Sequence, residues 1–254
     1  GRMKFRWTQI IIGAISLTLI VIVATQVPYI RFNPPTRQLI PPKGKYDVRI
    51  LRDTWGTPHI YGKTDADCSY GLAYAHCEDD FATIEESFYL SRGMLAMLKG
   101  EEAAPFDYLV KLFRFRELVE EKYETDLSPE VRALCEAYAD GYNHFAALHP
   151  HESTPGILPV TGKDVVTSFV LKTPFFFGLD DAVEKLYEGK RVQKVSPNER
   201  ELSALPDVLA DGLPTGSNTF AIAPGRTPDG KTHLAINSHQ PWTGAVAWYE
   251  ARLK

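Results

Sequence analysis

Leu213-Pro214-Thr215-Gly216-Ser217-Asn218-Thr219-Phe220-Ala221-Ile222 is the stretch that decides how this chain is organised. Its first half consists of residues that break regular structure, and the run from Asn218 onward is typical of a β-strand. Gly216 can adopt backbone angles that other residues avoid, so the peptide bond before Ser217 can lie in a strained turn within reach of the serine hydroxyl. Gly-Ser pairs are also common in ordinary turns. Ser217 is therefore either a turn residue or a nucleophile beside a bond that it can attack.

A second strand-like run follows, and residues 227–230, with the sequence Thr-Pro-Asp-Gly, provide the turn between the two. If the hairpin loop has three residues, Ser217 faces Pro241 and Thr219 faces His239. Ser217 and His239 then lie on one face as diagonal neighbours, roughly 7 to 8 Å apart. A bulge would change this register, and a shift of one residue turns the two side chains to opposite faces. A histidine that is merely packed or solvated is the alternative.

A serine hydroxyl needs a base to accept its proton. One solution is a nearby histidine oriented by a carboxylate. The other follows cleavage of the Gly216-Ser217 bond, which gives Ser217 a free α-amine whose pKa is about 7.7 to 8.0. That amine can accept the hydroxyl proton and return it to the leaving amine of a substrate. Cleavage itself proceeds by attack of the hydroxyl on the Gly216 carbonyl, followed by hydrolysis of the resulting ester.

The first thirty residues form a separate membrane segment. Residues 10–24 are almost uninterruptedly apolar and carry no charge, and three basic residues precede them: Arg2, Lys4 and Arg6. A cleaved signal peptide and an uncleaved anchor share this layout. The proline-rich linker at 31–45 favours an anchor over residues 9–29. The positive-inside rule then places the remainder outside the cytoplasm, in the periplasm of a Gram-negative host, with the anchor in the inner membrane.

Composition excludes several classes of function. The chain has 254 residues and a net charge of -4, and it has neither a basic stripe nor a nucleotide-binding loop, so we expect no nucleic-acid partner. Its three cysteines, Cys68, Cys77 and Cys135, lack metal-site spacing. We interpret them as buried thiols, and a single disulfide is the alternative in an oxidising compartment.

The exported part begins with a predicted hairpin, formed by residues 46–52 and 59–62 around a Trp-Gly-Thr-Pro turn. Helical periodicity dominates from residue 65 to residue 188. The clearest helix begins at Ser128, an N-cap followed by proline and glutamate. A further helix begins near residue 162 and ends at Pro174 or just after it, and a short polar helix is predicted for 181–188. Residues 189–216 are polar and rich in helix breakers, which predicts an exposed spacer.

Five segments in this order resemble the penicillin acylase family. They are Val48-Arg49-Ile50-Leu51-Arg52-Asp53-Thr54-Trp55-Gly56-Thr57-Pro58-His59-Ile60-Tyr61, Tyr70-Gly71-Leu72-Ala73-Tyr74-Ala75-His76-Cys77-Glu78-Asp79-Asp80-Phe81, Tyr138-Ala139-Asp140-Gly141-Tyr142-Asn143, Gly216-Ser217-Asn218 and Asn237-Ser238-His239-Gln240-Pro241-Trp242. Each segment alone is weakly specific, but the ordered set spans about residues 46–254. Members of this family deacylate penicillins, acyl-homoserine lactones and cyclic lipopeptides.

The resemblance implies an N-terminal nucleophile (Ntn) hydrolase with the four-layer αββα fold, an α+β class. It divides the chain into a mostly helical small chain (46–188), a spacer (189–216) and the first β-hairpin of the large chain (217–254), with cleavage between Gly216 and Ser217. Ser217 is then the N-terminal nucleophile, and His239 hydrogen-bonds or tunes it. The small and large chains pair after processing.

The resemblance also implies a substrate pocket and a metal site. Thr173 and Phe177 fall where the family's small chain lines the acyl pocket, and Trp242 is a neighbour. The neighbouring phenylalanines, Phe175 and Phe176, are as readily explained as core residues. No cofactor is required, but some members bind a structural calcium near the position of Glu184. Asp180 and Asp181 could add oxygen ligands, although such clusters usually form a solvated helix face.

The expected substrate is an N-acylated small molecule whose amide bond is hydrolysed. The family's large chain extends for several hundred residues and supplies the oxyanion hole, so we expect these 254 residues to be the N-terminal part of a longer precursor. The alternative function is a membrane-anchored, non-catalytic binding or scaffold module in which Ser217 and His239 are structural. A serine hydrolase with a histidine and an aspartate is a third hypothesis.

Overall fold

The computed structural model describes residues 13, 15–22, 34–176, 216–239 and 247–254. Residues 15–22, inside the predicted membrane segment, are helical with exposed side chains. Apart from residue 13, the rest of that segment lies outside the described residues. Among the residues that are described, no helix is both long and apolar enough to cross a bilayer.

The described chain from residue 34 onward is mostly helical with a few strands, in agreement with the predicted α+β class. The helices are α1 (Thr36–Leu39), α2 (Asp65–Ser91), α3 (Ala96–Lys99), α4 (Ala104–Leu112), α5 (Phe115–Asp126), α6 (Pro129–Leu148) and α7 (Gly162–Phe176). The strands are β1 (Val48–Arg52), β2 (Pro58–Gly62), β3 (Gly216–Ile222), β4 (His233–His239) and β5 (Arg252–Leu253).

The predicted first hairpin is confirmed: β1 and β2 are antiparallel, with Ile50 opposite Ile60. Its turn is closed by Asp53, whose Oδ1 accepts the backbone N–H groups of Trp55 at 2.9 Å and Thr57 at 3.1 Å. Strand β5 joins the other edge of β2 in parallel, so the sheet order is β1-β2-β5. This sheet therefore joins residues 48–62 to residues 252–253.

The core lies between α2 and α6. The Phe81 ring stacks on the Tyr142 ring with centroids 5.1 Å apart, and Phe145 lies 5.2 Å from Phe81. Helix α2 begins with a capping box between Thr64 and Asp67. It ends at Ser91, although its periodicity extends to residue 100, because Gly93 takes a left-handed conformation (φ 61°) before the short helix α3.

Helix α6 carries two residues that explain its sequence signature. At Gly141, a Cβ atom would lie 2.4 Å from the carbonyl oxygen of Tyr70, so only glycine permits α2 and α6 to approach this closely. The buried Asn143 side chain donates to the carbonyl of Val160 at 2.7 Å and accepts the N–H of the same residue at 2.8 Å. This amide fixes the connection between α6 and α7.

Asp164, in the first turn of α7, is fully buried and lies at the centre of an ionic cluster. Its carboxylate accepts two bonds from Arg92 at 2.8 Å and one from Arg116 at 2.7 Å. It also accepts the Thr161 N–H at 2.8 Å and the Thr161 hydroxyl at 2.7 Å. The cluster ties the ends of α2, α5 and α7 together and thereby sets the direction of α7.

The cluster predicts a specific loss of stability in acid. Burial raises the pKa of Asp164, but the bonds from Arg92 and Thr161 and the charge of Arg116 outweigh it and lower that pKa to about 2. A carboxylate whose pKa is lowered by folding stabilises the folded state above its unfolded pKa, and this contribution is lost as the pH falls through the folded pKa. From pH 5 to pH 2, we expect this residue to account for about 2 kcal/mol of lost stability. Urea unfolding of the wild type and of Asp164→Asn across this pH range measures it, and the variant should show a correspondingly smaller loss.

Candidate functional site

Ser217 is the second residue of β3, and it is exposed. Strand β3 pairs only with β4 in the described sheet, antiparallel, so that Ser217 lies opposite Ser238 and Gly216 lies opposite His239. The strand predicted after this junction is present as β3, and residues 213–215 of the breaker run lie outside the described residues.

The predicted register of this hairpin is wrong. Ser217 was expected opposite Pro241, but it lies opposite Ser238, three residues earlier. The cause is a loop that is longer on one side: it spans residues 223–232, five residues more on the β3 side, where Pro224–Arg226 forms a 3-10 turn, but only two more on the β4 side, and 5 − 2 = 3. Because three is odd, the shift turns Ser217 and His239 to opposite faces of the hairpin.

His239 shares its face with Asn218 rather than with Ser217. Its Nε2 atom lies 2.7 Å from Nδ2 of Asn218, the residue that follows the serine. Both side chains are exposed. In this geometry, the imidazole can act on Ser217 only indirectly, through the position of the neighbouring residue.

Both faces of the hairpin carry exposed apolar side chains. Phe220 and Ile222 lie on one face, 64% and 45% exposed, and Leu234 and Ile236 lie on the other, 64% and 72% exposed. Strands with apolar residues on both faces are typical of sheets that are covered on both sides.

Of the predicted pocket and metal residues, the structure describes only Thr173. It lies exposed in the last turns of α7, where its hydroxyl donates to the carbonyl of Phe169 at 3.0 Å. Phe177, Trp242 and Glu184 lie outside the described residues, as do Asp180, Asp181, the predicted helix 181–188 and nearly all of the spacer. The helix predicted to begin near residue 162 is present as α7, and it is described as far as Phe176, beyond which the predicted end lies outside the described residues.

A cavity of about 530 Å³ lies beside α7, and its lining residues extend to Lys172 but do not include Thr173. Helices α2, α6 and α7 form its walls on one side, and residues 247–249 close the other side. The apolar lining includes Ile84, Phe88 and Val165. Its size is within the range of small-molecule sites, and its walls come from both sides of the predicted cleavage point.

Two basic groups, His76 and Lys172, face this cavity. Burial lowers the pKa of His76, against the opposing influence of Asp80 and Asp79, and burial also lowers the pKa of Lys172. The sequence interpretation did not identify these residues. The available signal was the stripe of polar residues on α2 at helical spacing, Ser69, His76, Asp80, Thr83 and Ser87, all of which line the cavity.

Within the described part of the chain, no group of three or more His, Cys, Asp or Glu residues could hold a metal ion. The three cysteines are all free thiols. Cys77 is buried, and burial raises the pKa of its thiol. Cys68 and Cys135 are half-buried. The interpretation of the cysteines as unpaired thiols agrees with this arrangement, although only Cys77 is fully buried.

Comparison with known proteins gives consistent matches. Residues 47–254 match the penicillin amidase family model. A penicillin acylase 2 proenzyme from a Pseudomonas species is 26% identical over 234 residues, covering 76% of this chain and 30% of that protein. An acyl-homoserine lactone acylase, QuiP, of Pseudomonas putida is 31% identical over 253 residues, covering 82% of this chain and 31% of that protein. The chain therefore spans about a third of the length of these relatives.

A solved structure is also similar. The thermostable penicillin G acylase from Alcaligenes faecalis in its tetragonal form aligns with a TM-score of 0.45 and 22% sequence identity. The alignment covers 56% of this chain and 82% of the matched chain.

Proposed function

This chain belongs to the penicillin amidase family, and on that premise we propose that the full-length protein is an exported acylase that cleaves itself between Gly216 and Ser217. It then hydrolyses the amide bond of an N-acylated small molecule. The observation that carries the proposal is the junction itself, where an exposed serine stands directly after a glycine at the start of a strand. The related proenzyme and lactone acylases support the reaction class.

The cleavage step needs no external protease. The Ser217 hydroxyl attacks the Gly216 carbonyl carbon, the C–N bond breaks, and the acyl group moves from the serine nitrogen to its oxygen. Water then hydrolyses this ester, which regenerates the hydroxyl and leaves a carboxylate on Gly216. The new α-amine of Ser217 is the group that we propose as the base in catalysis.

The register of the hairpin favours this amine over His239 as the direct base. His239 lies on the opposite face from Ser217 and is adjacent to Asn218. An α-amine on the nucleophile's own residue requires no partner across the hairpin, because it accepts the hydroxyl proton directly or through one water. We assign His239 the role of orienting the N-terminal residue through Asn218.

The names of the relatives support penicillins and acyl-homoserine lactones as substrates, and the family resemblance adds lipopeptides as further candidates. We propose that the acyl group is bound by Thr173, Phe177 and Trp242. The cavity beside Thr173, bounded by both predicted chains, supports an acyl pocket at the boundary between them. A mainly apolar wall suits a hydrocarbon or aromatic acyl group.

On the same premise, we propose that the full-length protein has the four-layer fold and is exported. We also propose that it divides into a small chain (46–188), a spacer (189–216) and a large chain that begins with residues 217–254. The apolar residues on both faces of the β3–β4 hairpin support a covered central sheet. Residues 9–29 anchor the protein to the inner membrane, with the catalytic part in the periplasm. The proposed reaction requires no cofactor, and Glu184, which lies outside the described residues, would help to hold a calcium ion in a structural role.

A panel of N-acyl substrates tests the activity of the full-length protein. The panel contains penicillin G and acyl-homoserine lactones of short and long chain, and the measured quantity is the free amine that each releases. We expect release from at least one substrate by the processed wild type and none by Ser217→Ala. A processed, folded protein that cleaves no amide in the panel contradicts the proposed activity.

Replacement of His239 tests its indirect role. In His239→Asn, we expect normal cleavage at Gly216-Ser217 and a fall in kcat of less than about 100-fold, smaller than the loss typical of a direct general base. Steady-state kinetics and intact mass measure the two effects. The matched control is His233→Asn, an exposed histidine on the same face of the hairpin. If His239→Asn loses cleavage while His233→Asn retains it, the imidazole of His239 acts directly on Ser217.

A further inference from the structure

Residues 247–254 lie after the predicted cleavage point, yet the structure seats them on the helices and strands before it. Strand β5 pairs with β2 in parallel, with Ile60 opposite Leu253. The backbone N–H of Lys254 donates to the carbonyl of Ile60 at 2.8 Å, and the N–H of Gly62 donates to the carbonyl of Lys254 at 3.0 Å. Ile60 itself is fully buried. These bonds continue the first sheet across the predicted cut.

Tyr249 makes the side-chain contacts of this segment. Its ring stacks on His76 with centroids 4.1 Å apart and an interplanar angle of 18°. Its hydroxyl donates to Oδ2 of Asp79 at 2.5 Å. The tyrosine thus combines an apolar stacking surface with a charge-assisted hydrogen bond, which makes the contact specific in position and orientation.

Asp79 is itself held in place by Arg52. The guanidinium donates to Asp79 and to Glu78 at 2.9 Å each, and it also donates to the carbonyl of Gly56 at 2.8 Å. Burial and the bond to Asp79 together raise the pKa of the Tyr249 hydroxyl, which at its ordinary value of about 10 is already a donor at neutral pH. We call Arg52, His76 and Asp79 the tyrosine notch.

We propose that the tyrosine notch is the docking site by which the small chain holds the start of the large chain after cleavage, with Tyr249 as its occupant. This inference rests on the proposed cleavage at Gly216-Ser217. Cleavage removes the covalent link between the notch and residues 217–254, so these non-covalent contacts then hold the strand β5 and Tyr249 against the small chain. The partner is therefore the product chain of the same precursor.

Docking at the notch also fixes one wall of the cavity. Ala247 and Trp248 line the cavity next to Tyr249, and the opposite wall belongs to the small chain. A displacement of Tyr249 thus changes this wall of the cavity.

Hydrogen exchange of the full-length protein tests the docking. In Tyr249→Phe, the ring remains on His76 but the bond to Asp79 is lost. We expect the amides of residues 250–254 to exchange about tenfold faster than in the wild type, as a lost bond to a charged group implies. The control, Tyr108→Phe, removes a hydroxyl from an exposed tyrosine of α4 and should leave these amides unchanged.

A double-mutant comparison makes the result specific. Asp79→Ala should accelerate exchange as Tyr249→Phe does, and the double variant should be no faster than either single variant. Intact mass of the same wild-type sample reports cleavage. If the wild type is cut but Tyr249→Phe exchanges at the wild-type rate, the docking proposal is wrong and the proposed function stands. The same conclusion follows if the effects of the two substitutions add in the double variant. If the wild type is not cut, both the proposed function and the docking of two chains are wrong.

Discussion

Replacing Ser217 with alanine is expected to leave the full-length precursor as one polypeptide, with acylase activity reduced at least about 10⁴-fold. The alanine has no hydroxyl to attack the Gly216 carbonyl, so neither the ester nor the new α-amine forms. The variant thus loses the nucleophile and the base together. Intact mass spectrometry and the release of free amine from the N-acyl panel measure both losses.

Ser238→Ala is the matched control for this prediction. Ser238 is exposed and lies opposite Ser217 on the same face of the hairpin, so its removal deletes a neighbouring hydroxyl while the Gly216-Ser217 bond and the Ser217 hydroxyl remain. We expect the control to be cut and active. If Ser217→Ala is cut at the same bond as the wild type, an external protease performs the cleavage and the self-processing proposal is wrong.

The variant Ser217→Cys separates an N-terminal nucleophile from a serine hydrolase of the histidine-aspartate type. A thiol can carry out the same acyl shift, so we expect this variant to retain cleavage at the junction. Under the alternative mechanism, the variant loses activity outright. The measurements are again the mass of the purified chains and the release of free amine from the N-acyl panel.

Replacing Asp164 with alanine is expected to destabilise the protein by about 3–5 kcal/mol. The substitution leaves Arg92 and Arg116 without their buried counter-charge and also removes the acceptor for Thr161. Two positive groups that were neutralised at one buried site then face each other across it. Urea unfolding is monitored by circular dichroism. Both proteins carry Ser217→Ala, so that each is an uncut single chain.

Lys163→Ala is the control for the ionic cluster. Lys163 is the residue before Asp164, and its ion pair with Glu120, at 2.6 Å, is largely exposed to solvent. An exposed pair contributes less than about 1 kcal/mol. If Asp164→Ala costs no more than Lys163→Ala, the buried cluster does not determine the placement of α7.

Local features of the fold were predictable from the sequence. The alternation of β1, the turn residues around Asp53 and the Ser128-Pro129 start of α6 each depend on residues close in the chain. Asp164 illustrates what was not predictable: its partners Arg92 and Arg116 precede it by 72 and 48 residues. No local pattern specifies a contact at such separations.

The candidate site divides in the same way. Ser217 could be identified because a breaker run, a glycine and a strand are adjacent in sequence. The position of Ser217 relative to His239 could not be predicted, because the register of the hairpin depends on the conformation of residues 223–232. There, the 3-10 turn at Pro224–Arg226 lengthens the loop. The pairing of β5 with β2 was also missed, since it joins residues that are far apart in the chain and its strand is only two residues long.

The central claim is that Ser217 becomes the first residue of a second chain by self-cleavage. N-terminal sequencing and intact mass of the purified, full-length wild-type protein test it most directly. We predict two tightly associated polypeptides, one of which begins Ser217-Asn218-Thr219. A single uncut chain that is folded and hydrolyses an N-acyl substrate would contradict the account.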